Sequence, residues 1–268
     1  MSDPLRLEEL LENIPLEDTV ESKLLLASLR PSEIAQALEG SRPATRRVIW
    51  QLLDEEDRNQ TLQHISDEVR AEFLEAMDTA QLVAAADGMN TDDFADILQQ
   101  LPKTISEQVL ASLNSRDRAR VEAVLSFPED SAGGLMDTDT ITVRPRHTLE
   151  LVLRYLRLRK ELPSGTDALI VVNSDDQYLG MLPLAKVLTS DPSVTVREIM
   201  DSDAPAMHVD QPDTEIARTF SDRDLISAAV VDDAGQLLGR ITIDDVVDVI
   251  IEDADEAVLG PAGLDVDE

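Results

Sequence analysis

The segment VVDDAGQLLGRITIDDVVDVIIED, residues 230–253, decides the fold of the second half of this chain. Two apolar runs flank the polar turn DAGQ, a pattern that is typical of a β-hairpin. Apolar residues at helical spacing then follow the second run, which predicts a helix directly after the hairpin. The hairpin occurs a second time as VVNSDDQYLG, residues 171–180, so the sequence contains an internal repeat.

Each copy of the hairpin is preceded by a short strand-like run and an amphipathic helix. Before the first copy come ITVRP, residues 141–145, and TLELVLRYLRLRKEL, residues 148–162. Before the second come AMHV, residues 206–209, and DTEIARTFSDRDL, residues 213–225. The sequence therefore predicts two β-α-β-β-α units in tandem.

The first half of the chain, to about residue 125, has no strand signal but has repeated helix-start signals. A capping residue or first-turn acid precedes each apolar run, at Pro31-Ser32-Glu33, Asp54-Glu55-Glu56, Ser66-Asp67-Glu68, Asp78-Thr79 and Asn90-Thr91-Asp92. We expect about nine or ten short helices stacked in a superhelix, since none could bury its apolar face alone. The fold class is thus α + α/β. The predicted domains are residues 1–127 (helical), 128–197 and 198–254 (the two repeats) and 255–268 (the start of a connecting helix).

Composition excludes several classes of partner and site. The 268 residues carry 55 acidic and 23 basic side chains, a formal net charge of −32. Nucleic acids and anionic membrane surfaces are disfavoured because binding them requires clustered lysine and arginine. Such acidity is also compatible with a simple role in solubility. There is no cysteine, and the three histidines (His64, His147 and His208) lack metal-ligand spacing, so thiolate chemistry and a typical zinc site are not expected.

The last 30 residues combine a folded pattern with strong self-repulsion. Arg240 is the only cation between Gly239 and Glu268. Valines and isoleucines from Val246 to Ile251 predict a core-facing side, while acids recur every three or four residues and form a stripe. These acids are Asp244, Asp245, Asp248, Glu252, Asp255 and Glu256. Each like-charge i,i+4 pair in an exposed helix costs about 0.2–0.5 kcal/mol. The acidic stripe fits either a helix face that is simply solvated or a face that binds cations.

A second acidic patch favours the cation-binding alternative. Asp92 and Asp96 are four residues apart in the predicted helix TDDFADILQQ and share one of its faces. If the helical domain docks on the last helix, two acidic surfaces meet, which is unfavourable without divalent ions between them. Oxygen-only ligands favour Mg²⁺, Ca²⁺ or Mn²⁺. Scattered pairs of acids fit Mg²⁺, which keeps several waters and takes only one or two carboxylates, and Ca²⁺ and Mn²⁺ are ions that could replace it in vitro.

The two repeats resemble a tandem pair of CBS domains. The resemblance extends over nearly the whole chain, which is similar to the cytosolic region of MgtE-type magnesium transporters. Three segments carry this similarity: MNTDDFADILQQLP, residues 89–102; the junction PEDSAGGLM, residues 128–136; and the acidic segment that follows the second repeat. In that family a membrane domain follows a connecting helix. The resemblance implies a Mg²⁺-sensing regulatory region that closes a membrane pore at high Mg²⁺. It also implies a homodimer through the CBS domains, a membrane pore domain as partner in the same full-length chain, and a place at the cytoplasmic face of the bacterial inner membrane; this fragment is expected to be soluble.

The resemblance also assigns residue roles. The implied metal ligands are Asp92, Asp96, Asp224, Asp245, Asp248, Asp253 and Glu256, with Glu252 added on spacing alone. Ala257 stands where the family pattern has an acid, so the outermost site is in doubt.

Nucleotide binding is an alternative function. Many CBS pairs bind adenine nucleotides, and Gly239–Asp245 matches their G-x-[apolar]-[T/S]-x-x-D signature, which assigns Thr242 to phosphate and Asp245 to ribose of ATP. In the first repeat Pro183 and Lys186 stand at the equivalent places. The rival interpretation is an adenine-nucleotide-sensing CBS module whose helical domain recruits a protein, and a third is a purely structural adaptor similar to helical flagellar-motor scaffolds.

No catalytic residues are predicted. Nucleophile elbows, P-loops and metalloprotease motifs do not occur in the sequence. The N-terminus is acidic without an apolar run, and no stretch reaches the roughly 20 apolar residues that span a bilayer, so neither a signal peptide nor a membrane segment is expected in these residues.

Overall fold

The computed structural model describes residues 19–86, 89–159 and 161–259, with side chains in 22–86, 89–159 and 161–251. Contacts divide the chain into two compact units. The first comprises Met1–Met89 and Asp93–Arg118, and the second comprises Asn90–Asp92 and Ala119–Glu268.

Nine short helices come first among the described residues. They are α1 (Thr19–Leu26), α2 (Pro31–Glu39), α3 (Pro43–Leu52), α4 (Glu55–Leu62), α5 (Asp67–Leu74), α6 (Thr79–Ala86), α7 (Thr91–Gln100), α8 (Lys103–Ser112) and α9 (Ser115–Val124). Helices of this length are marginal in water alone, so their stability depends on packing. The predicted helix starts are confirmed: prolines open α2 and α3, and the Asp54 carboxylate accepts a bond from the Asp57 N–H at 2.8 Å.

The helical core is aliphatic with one aromatic pair. Ile34, Leu38 and Ile49 are fully buried in it, and the Trp50 ring stacks on Phe73 with centroids 4.1 Å apart. This agrees with a composition that is poor in aromatic residues.

Three arginines, spaced twelve residues apart, cap the ends of preceding helices. Each Nε donates to a carbonyl eight residues earlier, in the last turns of the helix before. The pairs are Arg46 with Leu38 (2.9 Å), Arg58 with Trp50 (2.9 Å) and Arg70 with Leu62 (3.0 Å). Carbonyls at a helix end have no partner within the helix, so these bonds satisfy them and fix one helix against the next.

The rest of the chain forms two β-α-β-β-α units, as predicted. The first contains β1 (Thr142–Val143), α10 (Leu149–Arg159), β2 (Ala168–Val172), β3 (Tyr178–Pro183) and α11 (Leu184–Thr189). After the short helix α12 (Val196–Ile199), the second contains β4 (Ala206–His208), α13 (Asp213–Arg223), β5 (Ser227–Val231), β6 (Leu237–Thr242) and α14 (Ile243–Leu259). In each three-stranded sheet the first pair of strands is parallel and the second is antiparallel.

Equivalent glycines of the two hairpins allow another chain segment to lie against the second strand of each hairpin. A Cβ on Gly180 would stand 2.2 Å from the Asp201 carbonyl oxygen, and one on Gly239 would stand 2.8 Å from that of Asp137. Asp201 bridges to Met181, and Asp137 bridges to Arg240, through backbone hydrogen bonds. The repeated glycine therefore marks a close backbone approach.

The apolar side of α14 is narrower than the sequence suggests. Val246 and Val249 are buried at 1% and 5% exposure, whereas Val247, Ile250 and Ile251 are exposed. The prediction that all five valines and isoleucines face the core is therefore wrong for Val247, Ile250 and Ile251. Only about one residue per turn of α14 is buried, because its contacts with α13 and β6 lie on the side of Val246 and Val249. No helix within residues 19–86, 89–159 and 161–259 combines the length and apolar character that crossing a membrane requires.

Candidate functional site

The predicted acids of α7 lie on a helix that is anchored by its buried side. Phe94, Ala95, Ile97 and Leu98 are buried. Asp92, in the first turn, is itself only 4% exposed, and Asp96 is half-buried. An acid in the first turn is favoured by the helix dipole, which offsets part of the cost of burying Asp92.

The first residue of α7 contacts a buried carboxylate. The Thr91 hydroxyl donates to Asp137 Oδ1 at 3.1 Å and lies 3.1 Å from the Thr138 hydroxyl. Asp137 Oδ1 also accepts from the Asp139 N–H at 2.8 Å. All of these residues belong to the second unit.

Arg240 is the counter-charge of Asp137. The side chains of Arg240 and Asp137 are 5% and 4% exposed, and Nη2 lies 3.6 Å from Oδ2. The guanidinium also donates to the Ser164 carbonyl and, at 3.4 Å, to the Thr166 hydroxyl. The sequence marks Arg240 as the one cation near the acidic stripe, but its local pattern does not mark Asp137 as the partner. The position of Asp137 next to Met136, matching Met200-Asp201 of the second repeat, was the available signal.

The junction of β6 and α14 is held by bonds from Thr242 to two carboxylates of the first helical turn. Asp245 Oδ2 accepts from both the N–H and the hydroxyl of Thr242 at 2.9 Å, and the same hydroxyl contacts Asp244. The bond from the Thr242 N–H to Asp245, the third helical residue, is the carboxylate half of a capping box. The structure thus brings together Thr242 and Asp245, the two residues predicted to bind nucleotide, but Thr242 is only 4% exposed.

The loop before β2 lies beside this cap. A Cβ on Gly165, which has a φ of +63°, would be 3.5 Å from Thr242 Cγ2 and 3.9 Å from Asp244 Oδ1. Asp167 Oδ1 accepts from the Ser227 hydroxyl at 2.5 Å, and Ser227 pairs with Thr242 across the sheet. In the first repeat Pro183 precedes α11 as its N-cap, and Lys186 donates to the Ile199 carbonyl at 3.0 Å. The first repeat therefore lacks the hydroxyl and carboxylate of the second.

The remaining predicted metal ligands occupy three different environments. Asp248 is exposed on α14, one turn after Asp244. Asp224 is exposed and has a φ of +52°, and it ends α13 as a left-handed C-cap whose N–H donates to the Phe220 carbonyl. Aspartate tolerates this conformation, so position 224 has a structural role that the sequence did not indicate. The side chains of Glu252, Asp253 and Glu256 lie outside the described residues.

Within the described residues, no three histidine, aspartate or glutamate side chains form a group that could hold a metal ion. The metal-ligand roles of the eight acids therefore stay predictions. Exposed carboxylates, widely spaced on helices, can each supply one or two ligands to an ion that keeps most of its water, which is the habit of Mg²⁺.

Comparison with known proteins identifies both parts of the chain. A family model described as MgtE intracellular N domain matches residues 29–130, and the CBS domain model matches residues 132–191 and 196–252. The chain is 31% identical over 252 residues to the magnesium transporter MgtE of Thermus thermophilus, covering 93% of this chain and 56% of that protein. It thus spans about half the length of this relative.

Solved structures agree with this identification. The crystal structure of the cytosolic domain of the Mg²⁺ channel MgtE in complex with ATP superposes with a TM-score of 0.80 at 32% identity, covering 91% of this chain and 98% of that one. The soluble part of a magnesium transporter shares the fold, with a TM-score of 0.76 at 22% identity over 93% of this chain and 97% of that one. These relatives are a channel and transporters, not enzymes. The chain therefore belongs to the MgtE family and matches the cytosolic N domain and CBS pair of its members.

Proposed function

We propose that this chain is the Mg²⁺-sensing regulatory region of a magnesium transporter or channel. In this proposal divalent ions bridge acidic surfaces of the N domain and the CBS units and stabilise a compact, closed state. At low Mg²⁺ carboxylate repulsion separates these surfaces. The ion shifts the equilibrium because it binds one state more tightly than the other.

One observation carries the proposal: Arg240, the cation nearest in sequence to the acids of α14, is buried against Asp137. The positive charge of Arg240 is therefore paired with Asp137 inside the second unit. Asp244 and Asp248, an exposed i,i+4 pair of like charge, lie on the same helix. In this proposal a solvent cation binds this surface together with Glu252, Asp253 and Glu256.

The proposed ligands are the acids Asp92, Asp96, Asp224, Asp245, Asp248, Glu252, Asp253 and Glu256. Among these, Asp245 and Asp224 have structural hydrogen bonds of their own, as a helix cap and a left-handed turn. Substitutions at Asp248, Glu252 and Glu256 leave the hydrogen bonds of Asp245 and Asp224 in place while they test ion binding. Oxygen-only ligands suit Mg²⁺, Ca²⁺ and Mn²⁺ alike, so the choice of Mg²⁺ in this proposal follows the ion named for the relatives.

Neutralising three acids of α14 tests the proposal. At saturating Mg²⁺, about a hundred times the dissociation constant, ion binding stabilises the native state by about 2.7 kcal/mol. For the triple variant Asp248→Asn, Glu252→Gln, Glu256→Gln we expect the Mg²⁺ concentration that gives a fixed rise in melting temperature to increase on the order of tenfold, which corresponds to about 1.4 kcal/mol of binding free energy. Thermal unfolding at constant ionic strength measures this.

The matched control removes the same charge elsewhere. Glu150→Gln, Asp175→Asn, Asp203→Asn neutralises three exposed acids of the CBS units outside the proposed ligand set. An equal shift in both triple variants would mean that Mg²⁺ acts only by general screening, which contradicts site binding.

Nucleotide sensing is a second candidate, and it is supported by the Gly165–Thr242–Asp245 arrangement and by the ATP complex of the structural relative. Thr242 would have to exchange its bond to Asp245 for a bond to the ligand. Titration with ATP in EDTA separates the two functions: stabilisation by ATP without a divalent ion favours the nucleotide-sensing module, whose helical domain would recruit a protein.

We further propose that the chain forms a homodimer through its CBS domains. Exposed apolar side chains line α14 at Ile243, Val247, Ile250 and Ile251, and α10 at Leu151, Tyr155 and Leu158. An exposed apolar stripe along one face of a helix is typical of an interface, and two-fold pairing is the commonest arrangement of identical chains. In the full-length protein we propose that α14 leads through a connecting helix to the membrane pore domain, at the cytoplasmic face of the bacterial inner membrane.

Introducing a charge into this surface tests the dimer. We expect Ile250→Asp to convert a dimer to a monomer in sedimentation velocity, since burying an unpaired carboxylate is strongly unfavourable. Leu24→Asp, at an exposed leucine of α1, is the control and should leave the dimer intact. A wild-type monomer, or a dimer that survives Ile250→Asp, would exclude this interface.

A further inference from the structure

We propose that Thr91 is a positioning residue that couples the N-terminus of α7 to the start of α14 through the buried Asp137–Arg240 pair. This inference rests on the proposed Mg²⁺ response, because it states how an event at Asp92 reaches the connecting helix. All of its members belong to the second unit, which includes Asn90–Asp92.

The first link is the hydroxyl of Thr91. Since Thr91 is the first helical residue of α7, its side chain does not occupy the N-cap position. The hydroxyl instead reaches Asp137 Oδ1 and the Thr138 hydroxyl, each at 3.1 Å. Asp92, the next residue, is in the same helical turn and 4% exposed, so a cation that binds there must order the turn that holds Thr91.

The second link is the Asp137 carboxylate, which is 3% exposed as a residue. Oδ1 accepts from Thr91 and from the Asp139 N–H, while Oδ2 faces Arg240 Nη2 at 3.6 Å. Two backbone bonds join Asp137 and Arg240, at 2.8 and 2.9 Å. In a buried site of low polarity, losing one hydrogen bond changes the orientation and strength of the others.

The third link is the strand β6. Arg240 is two residues before Thr242, whose N–H and hydroxyl bind Asp245 and so begin α14. A change in the placement of Arg240 therefore acts on the residue that caps α14. The result is a continuous path of polar contacts and backbone from Thr91 to Asp245.

Physical intermediacy alone does not show coupling, so the test measures it directly. Hydrogen–deuterium exchange is followed in α7 and α14 during a Mg²⁺ titration of the wild-type chain, Thr91→Val and Thr91→Ser. Valine keeps the shape of threonine without the hydroxyl, and serine keeps the hydroxyl. Thr79→Val makes the same change at the first residue of α6.

In the wild-type chain and in Thr79→Val, we expect Mg²⁺ to slow exchange in both helices with the same midpoint. In Thr91→Val the α7 midpoint should stay within about twofold, while the α14 midpoint rises at least about fivefold, the lower end of typical coupling between sites. Thr91→Ser should restore the wild-type α14 midpoint.

Two results would overturn the inference and leave the proposed function standing: an unchanged α14 midpoint in Thr91→Val, or an α14 midpoint in Thr91→Ser equal to that of valine. Absence of any Mg²⁺ effect on exchange in the wild-type chain would overturn both the inference and the proposed function.

Discussion

Replacement of Arg240 by methionine is expected to destabilise the second unit by about 3–5 kcal/mol, the usual effect of removing one partner of a buried ion pair. Methionine fills a similar volume but leaves the Asp137 carboxylate without its counter-charge at 4% side-chain exposure. The bonds to Ser164 and Thr166 are lost as well. Urea unfolding measured by circular dichroism gives the free energy.

A double variant provides the control for Arg240→Met. Adding Asp137→Asn removes the uncompensated charge, so we expect the double variant to be more stable than Arg240→Met alone. A loss below about 1 kcal/mol in Arg240→Met, which is typical of surface ion pairs, would show that the pair is solvated in solution.

Gly180→Ala is expected to destabilise the first CBS unit by more than about 3 kcal/mol, because backbone strain and a steric clash act together. The φ of Gly180 is +144°, and a Cβ would stand 2.2 Å from the Asp201 carbonyl oxygen. The added Cβ is fixed rigidly to the backbone, and the carbonyl oxygen of Asp201 is part of the backbone. Neither atom can rotate away, so removing the clash requires breaking the bridge between Asp201 and Met181. Thermal and urea unfolding measure the loss.

Gly235→Ala separates strain from clash. Gly235 also has a positive φ, +74°, but a Cβ added there would meet no atom within 4 Å. We expect a loss of only about 1 kcal/mol at this position, from conformation alone. Equal losses at the two positions would mean that the close approach of Asp201 contributes nothing.

The repeats made the fold of the second half predictable. The hairpins that contain Gly180 and Gly239 have a turn signal and apolar runs of strand length, and these local features predict the β-α-β-β-α order. Helix starts at Pro31, Asp54 and Thr91 were predictable for the same reason, since capping depends on residues within one turn.

Contacts between distant segments were not predictable from local patterns. In the sequence, Arg46, Arg58 and Arg70 resemble ordinary surface residues of polar helices. Their guanidinium groups nevertheless donate to carbonyls in the last turns of the preceding helices. Asp137 and Arg240 are far apart in the sequence but form a buried ion pair. Their pairing depends on a backbone bridge that no periodicity reveals.

The candidate site was predictable in part. The T-x-x-D pattern placed Thr242 and Asp245 together, because a strand-to-helix junction with this spacing brings the carboxylate back to the threonine N–H. Asp224 was assigned as a metal ligand from the family resemblance, but its left-handed conformation depends on how α13 ends. The exposure of Val247, Ile250 and Ile251 depends on what covers α14, which is a property of the tertiary structure.

Small-angle X-ray scattering of the chain with and without millimolar Mg²⁺, at constant ionic strength, tests the central claim most directly. The sensor account predicts a smaller radius of gyration in Mg²⁺, reversed by EDTA, and a weaker change in the Asp248→Asn, Glu252→Gln, Glu256→Gln variant. A radius of gyration that does not change with Mg²⁺, or that decreases equally when Na⁺ replaces Mg²⁺ at the same ionic strength, would contradict it.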